Sequence, residues 1–161
     1  MNAKMKKSWF PVLTSLVIAG LTPAFAGDSP QFRGPNRDGK FEETGLLQEW
    51  PENGPPVLWV AKGIGKGYAS LSVVNGKIYV PGMTDDQNAN LYVLNTNGAI
   101  EQTIPYGKET TDKQAPGARS TPTIDGDRAY LLSGLSVLCC IDLTKGTKIW
   151  EVNLLERFKG Q

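Results

Sequence analysis

Ser70-Leu71-Ser72-Val73-Val74-Asn75-Gly76 returns fifty residues later as Ser120-Thr121-Pro122-Thr123-Ile124-Asp125-Gly126. Each stretch alternates small polar and apolar residues and ends in a pair suited to a two-residue hairpin turn, where positive φ is needed. Downstream, Leu91-Tyr92-Val93-Leu94-Asn95 recurs as Leu138-Cys139-Cys140-Ile141-Asp142 at an offset of 47. A drifting period near fifty is the mark of a repeat architecture.

Working outward, each copy reads as four short strands separated by turns. In the first copy these are Ala69–Val74, Lys77–Val80, Leu91–Leu94 and Ala99–Ile104, with residues 81–90 a polar connection. In the second they are Pro122–Ile124, Ala129–Leu132, Val137–Ile141 and Lys148–Asn153, and Leu154–Phe158 offers a short helix. Four antiparallel strands per repeat is the unit of a β-propeller blade. The expected fold is therefore all-β, with blades at 68–104 and 119–154. Val57-Leu58-Trp59-Val60 is a further strand candidate, and its Trp59 matches Trp150 about two periods on. A fourth-type strand without its first three is what a circular array uses for closure, so 57–60 is expected to close a ring by joining its last blade. Single repeats cannot bury their own apolar faces, and about three are usually needed. Two copies plus one strand read as an incomplete propeller over 57–161.

The N-terminus carries Lys4, Lys6 and Lys7, a mainly apolar run from Trp9 to Leu21 interrupted by Pro11, and Ala24-Phe25-Ala26. Basic, apolar and small-x-small regions in that order predict a removable signal peptide at 1–26. The apolar run falls short of the roughly 20 residues a membrane span needs. The expectation is a periplasmic or secreted product without a span once the signal is removed. Loss of the signal takes three of the 17 basic residues and none of the 16 acidic ones, leaving a charge of about −2. That balance gives no electrostatic reason to expect nucleic acid. The chain has no His, which removes His-based zinc sites, Ser-His-Asp triads and the Cys-x-x-Cys-His haem signature from within it. Residues 27–56, rich in Gly, Pro, Asn and charge, read as an irregular leader.

The stretch Ser120 to Gly126, with Tyr130, Leu138-Cys139-Cys140-Ile141-Asp142, Gly146 and Trp150, resembles the repeat of the pyrroloquinoline-quinone (PQQ)-like β-propellers. The leader Pro30-Gln31-Phe32-Arg33-Gly34-Pro35-Asn36-Arg37-Asp38-Gly39, with Trp50-Pro51, is similar to the start of exported members. The first copy departs from the repeat in carrying Ile100-Glu101 where a Trp is usual, and the family's propellers have more blades. The resemblance implies a fold that hosts both quinoprotein dehydrogenases and scaffolds, so it says little of activity. The leading expectation is a non-catalytic binding or assembly scaffold whose partners are other blades or a protein. The rival is part of a PQQ- and calcium-dependent alcohol dehydrogenase, for which no carboxylate base can be named.

In that family the first strand lies innermost, which implies that Tyr68, Ser70, Arg119 and Thr121 line a channel and meet a small anion such as a quinone carboxylate. The competing reading for Arg119 is a salt bridge or turn contact between blades. Cys139-Cys140 invites comparison with the vicinal disulfide of the quinoprotein dehydrogenases. Successive strand residues point to opposite faces, however, and the pair aligns with Tyr92-Val93, so buried structural thiols are expected. Gly63, Gly65 and Gly67 lack the spacing of a phosphate loop. Arg33 and Arg37 suit an anion, although a solvated loop packed across the propeller is the more economical reading. Asp85, Asp86, Asn88 and Asn90 lack the spacing of a calcium loop and read as a polar connection. No metal site is expected.

Overall fold

A computed structural model describes residues 27–160; the expected signal peptide lies outside them. Eight strands form two separate four-stranded antiparallel sheets, neither closed on itself. The first sheet runs β1 (Ser72–Val74), β2 (Lys77–Met83), β3 (Asn88–Asn95) and β4 (Ile100–Lys108) in sequence order. The second runs β5 (Thr123–Asp125), β6 (Arg128–Leu132), β7 (Val137–Asp142) and β8 (Thr147–Asn153), followed by α1 (Leu154–Phe158). No helix among the described residues is long and apolar enough to cross a membrane.

The two sheets stack face to face. Tyr79, Leu91, Val93, Ile104 and Tyr106 of the first meet Ile124, Ala129, Leu131, Cys139 and Ile141 of the second in one buried cluster. Alternation explains the selection, since every second residue of a strand faces the same way. At the β1/β5 end, the buried Ser72 Oγ donates to the Pro122 carbonyl and ties the sheets together.

The hairpins hold the register. Asn75 and Gly76 take φ of 51° and 69° between Val74 and Lys77, the geometry of a type I′ turn. In the second copy the turn moves one residue: Asp125 pairs with Arg128, so Gly126-Asp127 makes the turn, with only Gly126 at positive φ. That is the type II′ pattern, which wants Gly first. The positional equivalent of Tyr79 is therefore Tyr130, not Ala129, because Tyr79 pairs with Val93 as Tyr130 pairs with Cys140.

Two further expectations are corrected. The ten-residue connection at 81–90 is only Thr84–Gln87, since β2 runs on through Pro81, Gly82 and Met83. Pro and Gly look like strand breakers, but β1 ends opposite Tyr79 and leaves that edge of β2 free at Pro81, where a missing N–H costs no ladder bond. A bulge recurs after Val93 and after Cys140, so Trp150, paired with Cys140, corresponds to Gln102, paired with Val93, and not to Ile100-Glu101.

Residues 57–60 belong to neither sheet, so the expected strand is not formed among the described residues; Leu58 is 87% exposed. The chain here is an extended strap. Trp59 rests against Gly98, and Ile64 against Gly82. Lys66 then makes paired backbone bonds of 2.8 and 2.9 Å with Met83, taking the β2 edge that β1 leaves free. The strap thus covers the first sheet's outer side, where Tyr92 and Leu94 are buried.

A Cβ at Gly82 would overlap the Ile64 carbonyl, a backbone atom that cannot swing away. Gly82→Ala is therefore expected to destabilise the protein by about 1–3 kcal/mol and to release the strap. Hydrogen exchange of residues 59–68 should rise well above that of β3, and unchanged protection would contradict this packing.

Candidate functional site

The segments leading into the two repeats lie side by side. Gly67 pairs in parallel with Ala118, and the Tyr68 N–H donates to the Ala118 carbonyl at 2.7 Å. Such close approach needs Gly67 and Gly117, because a side chain at either would strike the opposing backbone. Tyr68 and Arg119, far apart in sequence, thereby come onto neighbouring strands of chain. Ser70 and Thr121 follow in the next residues, with Tyr68 and Ser70 exposed and Thr121 half-buried.

The Arg119 guanidinium is engaged with its own loop. It donates to Asp112 Oδ2 at 2.9 Å and to the Ala115 carbonyl from both Nε and Nη2 at 3.0 and 2.7 Å. Asp112 is held below the usual carboxylate range by the Gln114 backbone N–H and then by Arg119. These contacts brace residues 109–119, which connect the two sheets.

At the base of that connection sits a group the sequence did not single out. Glu109 is 1% exposed, accepts from the Tyr106 phenol at 2.7 Å on Oε1 and from the Gly134 N–H at 2.7 Å on Oε2. It joins the end of the first sheet to the β6–β7 turn of the second. Burial, and then the neighbouring Glu109, raise the Tyr106 phenol well above its ordinary range, so it remains a donor. Beside them a cavity of about 250 Å³ is lined by Tyr106, Ser133, Leu135, Lys148 and Glu151. Lys148 bonds Glu151 there and reaches the Tyr106 carbonyl at 3.2 Å. A single Glu in a charged run gives no sequence signal for this role, because burial is decided by the other sheet.

Cys139 and Cys140 are both buried free thiols. Cys139 enters the core between the sheets, while Cys140 lies on the opposite side of β7 beside Tyr130 and Trp150, its cross-strand neighbours. Burial pushes the Cys139 thiol up to about 11. A pair on opposite faces does not present itself to one flat cofactor ring, so these residues do not fit a quinone.

The Thr84–Gln87 turn borders a cavity of about 640 Å³ with Asn88, Asn90, Pro105 and Gly107. Its carboxylates are already satisfied: Asp85 by Lys66 at 2.7 Å, and Asp86 by the Thr84 hydroxyl and Asn88, which hold it below the usual range. Among the described residues no group of three or more His, Cys, Asp or Glu is gathered as for a metal ion. The calcium that the rival reading requires finds no fitting donor set here.

Two predictions arise from these groups. Glu109→Ala strands the Tyr106 hydroxyl and the Gly134 N–H in the interior. It should cost about 3 kcal/mol in urea unfolding, with Glu109→Gln costing less because one acceptor remains. For the thiol, an unfolded Cys139 ionises from its ordinary value of 9.0 and the folded one only at about 11. Its contribution is thus fully present below pH 9 and lost as pH rises towards 11, by about 2 kcal/mol. Stability measured from pH 8 to 10.5 should fall, and Cys139→Ala should flatten that part of the profile.

No family model matches this chain, and no curated protein matches it.

Proposed function

We propose that the chain is part of an exported PQQ-like β-propeller and acts as a non-catalytic scaffold, docking a further β-sheet on the outer face of its second sheet. One observation carries this reading. The face that the first sheet turns to the second is repeated, position for position, on the outer side of the second sheet, which stays partly open to solvent. Tyr79, Leu91, Val93 and Ile104 correspond in pairing register to Tyr130, Leu138, Cys140 and Val152. On the first sheet these positions are buried against a neighbour. On the second, Leu132 and Trp150 of the same face are each 40% exposed. Contiguous apolar surface of this kind marks an interaction site. The partner is a propeller blade or another protein with an apolar sheet face, since a flat, strand-ribbed surface is matched by the same geometry.

The proposal includes the exported, periplasmic or secreted setting that the basic-apolar-small N-terminus supports. It includes no catalysis, because the buried thiols and engaged Arg119 supply no quinone contacts. Photo-crosslinking from Leu132 and Trp150 in the producing cell tests the docking. Crosslinks to β-strand segments of one defined partner are expected from both positions, and Leu138→Asp should abolish them. Absence of any partner at both positions would end the reading. Dye-linked alcohol oxidation after adding PQQ and calcium to purified protein should give no turnover, and substrate-dependent turnover would refute the non-catalytic part.

A further inference from the structure

A different part of the molecule carries an inference that goes beyond docking. The leader enters the fold at Ser29, which exchanges backbone bonds of 2.8 and 2.9 Å with Val73, while the Pro30 carbonyl accepts from the Ile124 N–H at 2.8 Å. One dipeptide therefore ties the first strands of both sheets. The loop that follows is held by its own bonds: Gly34 N–H to the Gln31 carbonyl at 3.1 Å, Arg37 N–H to that of Gly34 at 3.2 Å, and Gly39 N–H to that of Arg33 at 3.0 Å. Gln31 Nε2 also donates to the Pro35 carbonyl at 2.9 Å. Within this frame Arg33 and Arg37 both adopt left-handed φ, 65° and 59°. That conformation is uncommon for residues with a Cβ and persists only where surroundings enforce it.

The consequence of the fold is to set Arg33 and Arg37 on the wall of one open cavity, about 440 Å³, completed by Gln31, Phe32 and Thr123. Arg37 uses Nε towards Gln31 Oε1 at 2.7 Å, and Arg33 uses Nη2 towards the Asp38 carbonyl at 3.3 Å. Among the described residues no carboxylate lies within ion-pair distance of either. Both side chains are exposed, and two like charges on the wall of one cavity repel. A polyvalent oxyanion offsets that repulsion, because the planar fork of each Arg matches two oxygens at once. Gln31 contributes by orienting Arg37 through Nε, which leaves both Nη groups for the ligand.

From this arrangement we infer that the leader loop is a binding site for a phosphate-type oxyanion, with Arg33 and Arg37 as its direct ligands and Gln31 as a positioning residue. The site meets the β5 corner of the second sheet's outer face at Thr123, which pairs with Tyr130, but its direct ligands are leader residues, so phosphate binding and docking are tested independently. Inorganic phosphate is the probe, titrated into the purified protein at low ionic strength and followed by amide chemical shifts. Saturable shifts confined to residues 31–39 and Thr123, in the millimolar range or tighter, are expected. Arg33→Gln and Arg37→Gln should each weaken binding about tenfold, and Arg37→Lys should weaken it too, since the charge stays but the fork is lost. Arg119→Gln serves as the control and should leave the affinity unchanged. Shifts that fail to saturate at tens of millimolar, or saturable binding that survives the Arg33→Gln/Arg37→Gln double substitution, would overturn the inference.

Discussion

The packing of the two sheets across Leu91, Val93, Ile104, Leu131 and Ile141 is the constraint from which the remaining structure follows. A sheet has two faces, and alternation makes both apolar wherever sheets stack in series. Committing one face of each sheet to the shared core leaves an outer face on each with nowhere to hide. The molecule treats them differently. The first sheet's outer side receives the strap from Trp59 to Lys66, and the second sheet's keeps Leu132 and Trp150 partly in solvent.

The leader and strap are consequently structural parts and not appendages. Ser29 and Pro30 bind the inner edges of β1 and β5, and Lys66 binds the edge of β2 beyond Tyr79. Each supplies backbone partners to an edge that would otherwise present unpaired groups. Glycine at 65, 67, 82 and 117 permits the close backbone approaches involved. A composition that reads as irregular loop therefore has definite work in this fold, through main-chain bonds that leave little trace in side-chain pattern.

Much of the architecture was legible in the sequence because it rests on local rules. Period-2 alternation and the Asn75-Gly76 pair give the four-strand unit directly, and the short helix at Leu154–Phe158 follows from an Asn153 cap that accepts from Leu155 and Glu156. Misreadings arose where tertiary surroundings decide. Pro81 and Gly82 look like breakers until the free β2 edge is known, whereas Val57–Val60, expected to pair with a last blade, lies outside both described sheets. The candidate residues fared similarly. Tyr68 and Arg119 lie on neighbouring backbone segments, and only the fold reveals that Asp112 and Ala115 occupy the Arg119 guanidinium, or that Glu109 is interior.

The one-residue displacement between the two hairpin turns shows how sequence identity and spatial equivalence part company. Aligning Asn75-Gly76 with Asp125-Gly126 is the natural choice by residue type, yet it would place Ala129 opposite the role of Tyr79. The second turn begins instead at Gly126, because a type II′ turn needs its glycine first and a type I′ turn tolerates Asn there. A shift of one residue exchanges the two faces of a strand. The small Ala129 therefore turns inward, where the first sheet's Tyr79 already fills the shared core, and Tyr130 turns outward beside Trp150 at 6.2 Å between ring centroids. Turn chemistry at a single glycine thus decides whether the outer face of the second sheet carries Ala129 or Tyr130.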